Sequence, residues 1–153
     1  MRERDAKVLD VISTILSDGR SSRLYKKMVD EQKQALQVFS FARPLTDYSV
    51  YNIGAIPLGE VSLDDLIIEM DEEIEKLQTE LISDEDLQKV RNKFENQYVN
   101  SNSSIEGIAG SLADSYMLVG DTNAINQELE IINSITKEEI REVAKKYLAK
   151  NRR

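Results

Sequence analysis

Gly19, Arg20, Ser21, Ser22 and Arg23 stand side by side, so two guanidiniums flank a run of backbone amides. At a helix start, such a group could hold a phosphate or another anion. The stretch follows a helical pattern and lacks the G-x-x-x-x-G-K spacing of a phosphate loop, which follows a strand. A corner between two helices accounts for the same residues: glycine turns the chain through positive φ and a serine caps the next helix. Both readings of Arg20–Arg23, anion module and corner, stand at this level.

A second cluster is acidic. Residues 64–86 carry Asp64, Asp65, Glu69, Asp71, Glu72, Glu73, Glu75, Glu80, Asp84, Glu85 and Asp86 against the single base Lys76. Carboxylates at helical spacing can bind calcium or magnesium, but no EF-hand spacing occurs. These acids fall opposite an apolar stripe and near two helix starts, where the helix dipole favours them, so a solvated helix face is expected. A third stretch, "SNSSIEGIAGSLADSY", offers serine, aspartate and tyrosine with no adjoining histidine or lysine base. Its Gly107 and Gly110 suit close helix packing or a bend. The basic end, "KKYLAKNRR", suits a helix C-terminus.

No histidine and no cysteine occur. That removes the usual zinc ligands, the usual general base and every Ser-His or Cys-His pair. No catalytic, cofactor-binding or metal-binding residue is therefore assigned, and the chain reads as a partner domain rather than a complete enzyme.

The elements that would carry these residues follow from periodicity. Val8, Leu9, Val11, Ile12, Ile15 and Leu16 make an apolar helix face that ends at Gly19. Ser21 or Ser22 is expected to cap a second helix through residue 32, with Leu24, Tyr25, Met28 and Val29 on one stripe. "ALQVFSFAR" and "YSVYNIGAI", separated by "PLTD", predict a hairpin. Leu36, Val38, Ser40 and Ala42 are expected on one face, with Phe39 and Phe41 on the other. Tyr48, Val50 and Ile56 should likewise lie opposite Tyr51, Ile53 and Ala55. Apolar residues on both faces call for cover on both.

Four or five helices follow. Ser62 caps the first, with Asp65 as a capping-box variant, and Leu63, Leu66, Ile67, Met70, Ile74 and Leu77 face in. Ser83 caps the next, with Leu87, Val90, Phe94 and Tyr98 inward. Ile105, Ile108, Leu112 and Tyr116 mark a further inward stripe, and Asp121 caps a short helix around Ile125, Leu129 and Ile132. Thr136 and Glu139 form a capping box before Ile140, Val143, Ala144, Tyr147 and Leu148. The order predicts an α+β fold with helices packed on a small antiparallel sheet, in one domain spanning 1–153.

With 153 residues, 28 acids against 20 bases and a formal charge of −8, the chain is a poor general binder of nucleic acid or anionic membrane. No apolar run approaches the ~20 residues that cross a bilayer, and the N-terminus lacks a signal-peptide core. A soluble protein is expected, cytoplasmic or periplasmic alike.

Taken in order, these segments resemble the insulinase/pitrilysin family of zinc metallopeptidases, which includes the mitochondrial processing peptidases. "VLDVISTILSDGRSSRLYKKMVDEQKQALQVFSF" is similar to its helix, Gly-containing turn, Ser-Arg-Leu-Tyr, second helix and strand. "DLIIEMDEEIEKLQTELISDEDLQKVRNKFENQY" looks like its paired helices, and "GDTNAINQELEIINSITKEEIREVAKKYLAKNRR" like its closing segment. The resemblance implies repeated α+β domains forming two halves of a clamshell around a chamber. The zinc motif, His-x-x-Glu-His with a distal Glu, lies in the first domain, which a chain without histidine cannot be. The resemblance places this chain in the following domain, which forms chamber wall, contacts other domains of its parent chain or a paired subunit, and binds no zinc. Peptide substrate and zinc belong to the parent.

In the non-catalytic half of such enzymes an Arg and a Tyr seven residues apart hold the substrate; the aligned positions here are Val29 and Leu36. The resemblance is therefore to the second domain of the zinc-carrying half, the alternative being an inactive paralogue that acts in protein–protein interaction. It also implies a first and a last strand outside this sequence, an expressed fragment, and strand edges open to self-association.

Overall fold

The computed structural model describes residues 3–44 and 49–150. The chain divides into two units, Met1–Ile82 with Thr136–Arg153, and Ser83–Ile135.

The first unit begins with α1 (Glu3–Ser17). Its Val8, Leu9, Val11, Ile12, Ile15 and Leu16 are all buried, as the three-to-four spacing requires. Burying each such side chain contributes roughly 1.5–3 kcal/mol before entropy is counted. Gly19, at φ 85°, turns the chain out of the helix. The next helix is wound more widely than expected: Tyr25–Glu31 is π-helical, and the Gln32 N–H donates to the Lys27 carbonyl at 2.9 Å. Leu24 and Met28 are buried on its inner side.

β1 (Ala35–Pro44) and β2 (Ser49–Pro57) pair antiparallel, with Phe39 opposite Gly54, Ser40 opposite Ile53 and Ala42 opposite Tyr51. The expected connecting loop and Tyr48 fall largely outside the described residues. A bulge lies between Ala35 and Gln37 and corrects one expectation. Leu36 leaves the face of Val38 and is 60% exposed, while Ala35 and Val38 are buried. α1 packs on β1. The opposite face carries Phe39, Phe41, Val50 and Ile56, each partly exposed. The Phe39 ring lies across Gly54, where a Cβ would overlap Cζ, and its centroid is 6.1 Å from that of Phe41.

α2 (Leu63–Thr79) and the last helix, α6 (Lys137–Tyr147), pack on each other. Ser62 caps α2 by accepting from the Asp64 N–H, without a reciprocal bond from Asp65. Leu66, Ile74 and Leu77 are buried as expected, but Leu63 and Ile67 are exposed. The helix is turned so that Glu73 takes a buried position instead. Thr136 and Glu139 form the expected capping box, at 3.2 and 2.9 Å. Glu139 also receives both Arg4 Nε (2.7 Å) and Nη2 (3.0 Å), which ties the start of α1 to that of α6. Gln78 donates to the Ala144 carbonyl at 3.2 Å.

The second unit comprises α3 (Asp84–Ser101), α4 (Ile105–Val119) and α5 (Ala124–Ser134). Ser83 and Ser104 cap α3 and α4 by accepting from the Asp86 and Gly107 N–H groups. Asp121 accepts from the Asn123 N–H at 2.8 Å, so it shapes the preceding turn rather than capping α5. Leu87, Val90, Ile132 and Ile135 are buried, whereas Phe94, Tyr98, Ile125 and Leu129 are half-buried. The expected inward stripe of α4 faces water. Ile105 is 84% and Tyr116 64% exposed, with Ile108 and Leu112 near 40% (43% and 37%). The helix instead half-buries the small residues Gly107, Ser111 and Ser115, one per turn. Among the described residues no helix is long and apolar enough to cross a membrane.

Candidate functional site

At the Gly19–Arg23 corner, the Ser22 hydroxyl and its N–H both donate to the Gly19 carbonyl, at 2.7 and 3.1 Å. The Ser22 carbonyl accepts from the Lys26 N–H at 3.0 Å, so the helix starts without a side-chain cap. Ser22 is buried and consumed by the turn itself, contrary to the expected cap. Arg20 and Ser21 are exposed and Arg23 is half-buried. The corner reading accounts for the bonds described there. Val29 sits half-buried in the π-helical segment, and Leu36 is exposed in the β1 bulge. Neither side chain has a polar atom to hold a peptide.

The acidic block is only partly a solvated face. The π-helical segment brings Lys27 Nζ to 2.6 Å from Glu69 Oε2, 2.6 Å from Glu72 Oε2 and 3.6 Å from Glu73 Oε1. Lys76 completes the cluster at 2.6 Å from Glu73. Burial opposes the charge on Lys27, but the hydrogen bonds to Glu69 and Glu72 outweigh it and raise its pKa above the ordinary range. The bond from Lys27 holds Glu69 below the ordinary carboxylate value, against the opposing effect of burial. Each group is fixed in its charged form at neutral pH, so neither Lys27 nor Glu69 is poised to exchange a proton with a substrate. The arrangement is an internal ion cluster between two elements.

A hydroxyl chain between α1 and the hairpin gave no motif in the sequence. Ser13 Oγ lies 3.0 Å from the Leu9 carbonyl and 2.9 Å from the Tyr51 hydroxyl. Ser13 is placed to donate to either, its one proton serving one of them at a time. Ser40 donates to the Ser13 carbonyl at 3.2 Å, and Ser17 completes the chain 2.8 Å from Ser40 Oγ. Burial pushes the Tyr51 pKa up, so the phenol stays a donor. The signal available was the Ser13, Ser17 spacing of one helical turn opposite Ser40 on an inward strand position. These serines bond the sheet to the helix.

The serines of the 101–104 stretch are engaged locally: Ser101 with the Tyr98 carbonyl, Ser103 with that of Asn100, and Ser104 as the α4 cap. At the basic end, Lys146 and the Tyr147 hydroxyl both reach Asp5, at 2.6 and 2.7 Å. The donor set does not fit a zinc site. The sequence has neither histidine nor cysteine. Among the described residues no three His, Cys, Asp or Glu side chains gather as metal ligands.

Comparison with known proteins bears on this arrangement. Residues 1–94 match the family described as the peptidase M16 inactive domain. Over 124 residues the chain is 29% identical to zinc protease PqqE of Helicobacter pylori, covering 81% of this chain and 28% of that relative. A solved protease from Helicobacter pylori superposes over 99% of this chain and 36% of its own, with a TM-score of 0.91 at 25% identity. An inactive peptidase domain from Bordetella parapertussis matches over 99% of this chain and 80% of its own, with a TM-score of 0.85 at 23% identity. The chain thus spans about a quarter of the length of the curated relative it matches.

Proposed function

The chain belongs to the family of the peptidase M16 inactive domain, and from this premise we propose that it serves as a chamber-wall domain of a zinc metallopeptidase, with no catalytic residue of its own. The observation that carries the reading is the family match on a chain that has no histidine or cysteine to offer a zinc ion. Its relatives include a zinc protease and an inactive peptidase domain. In this proposal the 153 residues act as one domain, and zinc-activated water in another domain of the parent attacks the peptide. What this chain contributes is rigid wall: a buried helix–sheet core, the Ser13–Tyr51 hydroxyl chain and the Lys27 ion cluster.

β1 and β2 form a two-stranded sheet among the described residues. In the proposed parent, further strands complete it; in the isolated chain, its open edges are available for pairing with another copy.

The test is direct. The purified chain, supplied with zinc, should hydrolyse no fluorogenic peptide and should retain no stoichiometric zinc after dialysis. The longer polypeptide that contains this segment should hydrolyse the peptide and retain zinc. Chelator-sensitive peptidase activity from the isolated chain would overturn the proposal.

A further inference from the structure

α4 is rotated away from its own hydrophobic pattern. Its half-buried positions are Gly107, Ser111 and Ser115, while Ile105, Ile108, Leu112 and Tyr116 stand exposed in a row at helical spacing. A surface helix left to itself turns its apolar stripe inward, because each buried side chain of this size contributes roughly 1.5–3 kcal/mol. The exposed stripe amounts to several hundred Å², the size at which a patch on a soluble protein marks an interaction surface. Its two acids, Glu106 and Asp114, are exposed and lie off this stripe, which is uncharged.

Area decides the occupant. A stable complex between separate molecules buries about 800 Å² on each partner, more than this one helix face supplies. A segment of the same polypeptide faces a smaller demand, since tethering replaces the entropy of association with an effective concentration. Inter-domain contacts within one chain are often of this modest size. Proteins similar to this one carry about three times as much chain.

We infer that the Ile105–Tyr116 side of α4 is an interdomain docking face, covered by an apolar segment from elsewhere in a longer polypeptide. The inference rests on reading the chain as one domain of a larger protease. It adds which face makes the contact and what chemistry meets it.

Hydroxyl-radical footprinting tests it, reading side-chain labelling of Tyr116 and Leu112 in the isolated chain and in the longer polypeptide. Labelling should be high in the isolated chain and fall several-fold in the longer one. Equal labelling in both overturns the inference. Ile105→Glu and Tyr116→Glu, at the two most exposed positions of the row, should leave the melting temperature of the isolated chain unchanged. In the longer polypeptide the double variant should restore Leu112 labelling to the isolated level; unchanged protection of Leu112 would count against the docking face. A dimer of the isolated chain in sedimentation that the double variant abolishes would make the occupant a second copy, against the proposal. Zinc content and peptidase activity of the longer polypeptide report separately on the parent's chemistry, so either reading can fail alone.

Discussion

Lys27 shows how one cation can decide which way a helix turns. α2 buries Glu73 where the apolar pattern of its sequence would place Ile67 inward, because Lys27 and Lys76 neutralise the carboxylate. Lys27→Met should leave Glu73 buried with one partner lost. Removing a partner from a buried pair costs 3–5 kcal/mol, and partial exposure of this cluster lowers that to about 2 kcal/mol. Adding Glu73→Leu should recover most of the loss, since a buried ion pair replaced by apolar groups is often neutral. Chemical denaturation of the two variants checks this; a single variant as stable as the parent sequence would remove the cluster from the stability of the fold. The pH dependence has a definite sign. Glu69 titrates below its ordinary 4.5 in the folded state, so its contribution is full above that value and lost as pH falls through the folded value. Lys27 titrates above its ordinary 10.5, so its contribution is full below that and lost as pH rises through the folded value. The cluster should therefore stabilise fully between about pH 5 and 10. Little of this was legible in the sequence. Lys76 stood within the acidic block, but Lys27 lies more than forty residues away and only the packing of two elements brings it there.

At the scale of elements, two glycines on one helix should answer the same substitution with opposite signs. A Cβ on Gly107 would collide with the Ser101 carbonyl oxygen, which the end of α3 holds in place, while a Cβ on Gly110 meets nothing within 4 Å. Gly107→Ala should destabilise the α3–α4 junction by about 2 kcal/mol or more, as overpacking against backbone does. Gly110→Ala should stabilise by roughly 0.5–1 kcal/mol through helix propensity. Thermal melts followed by circular dichroism would show the two shifts, and a common sign would refute the assignment. Helix existence, the hairpin and the Thr136 capping box were all readable, because caps and periodicity are local. Orientation was less so. α4 has an unambiguous apolar stripe, yet which side of a helix meets its neighbours depends on what those neighbours offer. The Leu36 bulge was hidden for a related reason: alternation predicts a face only while the register holds, and one extra residue shifts its phase.

Across the whole molecule, burial is uneven. The first unit contains α1, the π-helical segment, the hairpin, α2 and α6, and holds most of the buried apolar residues. Ser83–Ile135 buries Leu87, Val90, Ile132 and Ile135 among its described residues. Few buried contacts mean low local opening energies. Amide hydrogen exchange should therefore be markedly faster through α3–α5 than through α1, β1 and α6, and uniform protection would show that the two units open together. That imbalance agrees with a chain whose second unit is finished by something outside it. The family and the α+β class could be read from segment order, since order and spacing survive where individual residues do not; which surfaces await a partner could not. The Phe39 ring lying across Gly54 provides a way to watch the hairpin in any such assembly. Protons held against the face or edge of an aromatic ring resonate far from their usual positions, so the Gly54 α-protons act as a magnetic marker of hairpin integrity. Their shift can be followed without a label as the chain is extended, cut or joined to other domains.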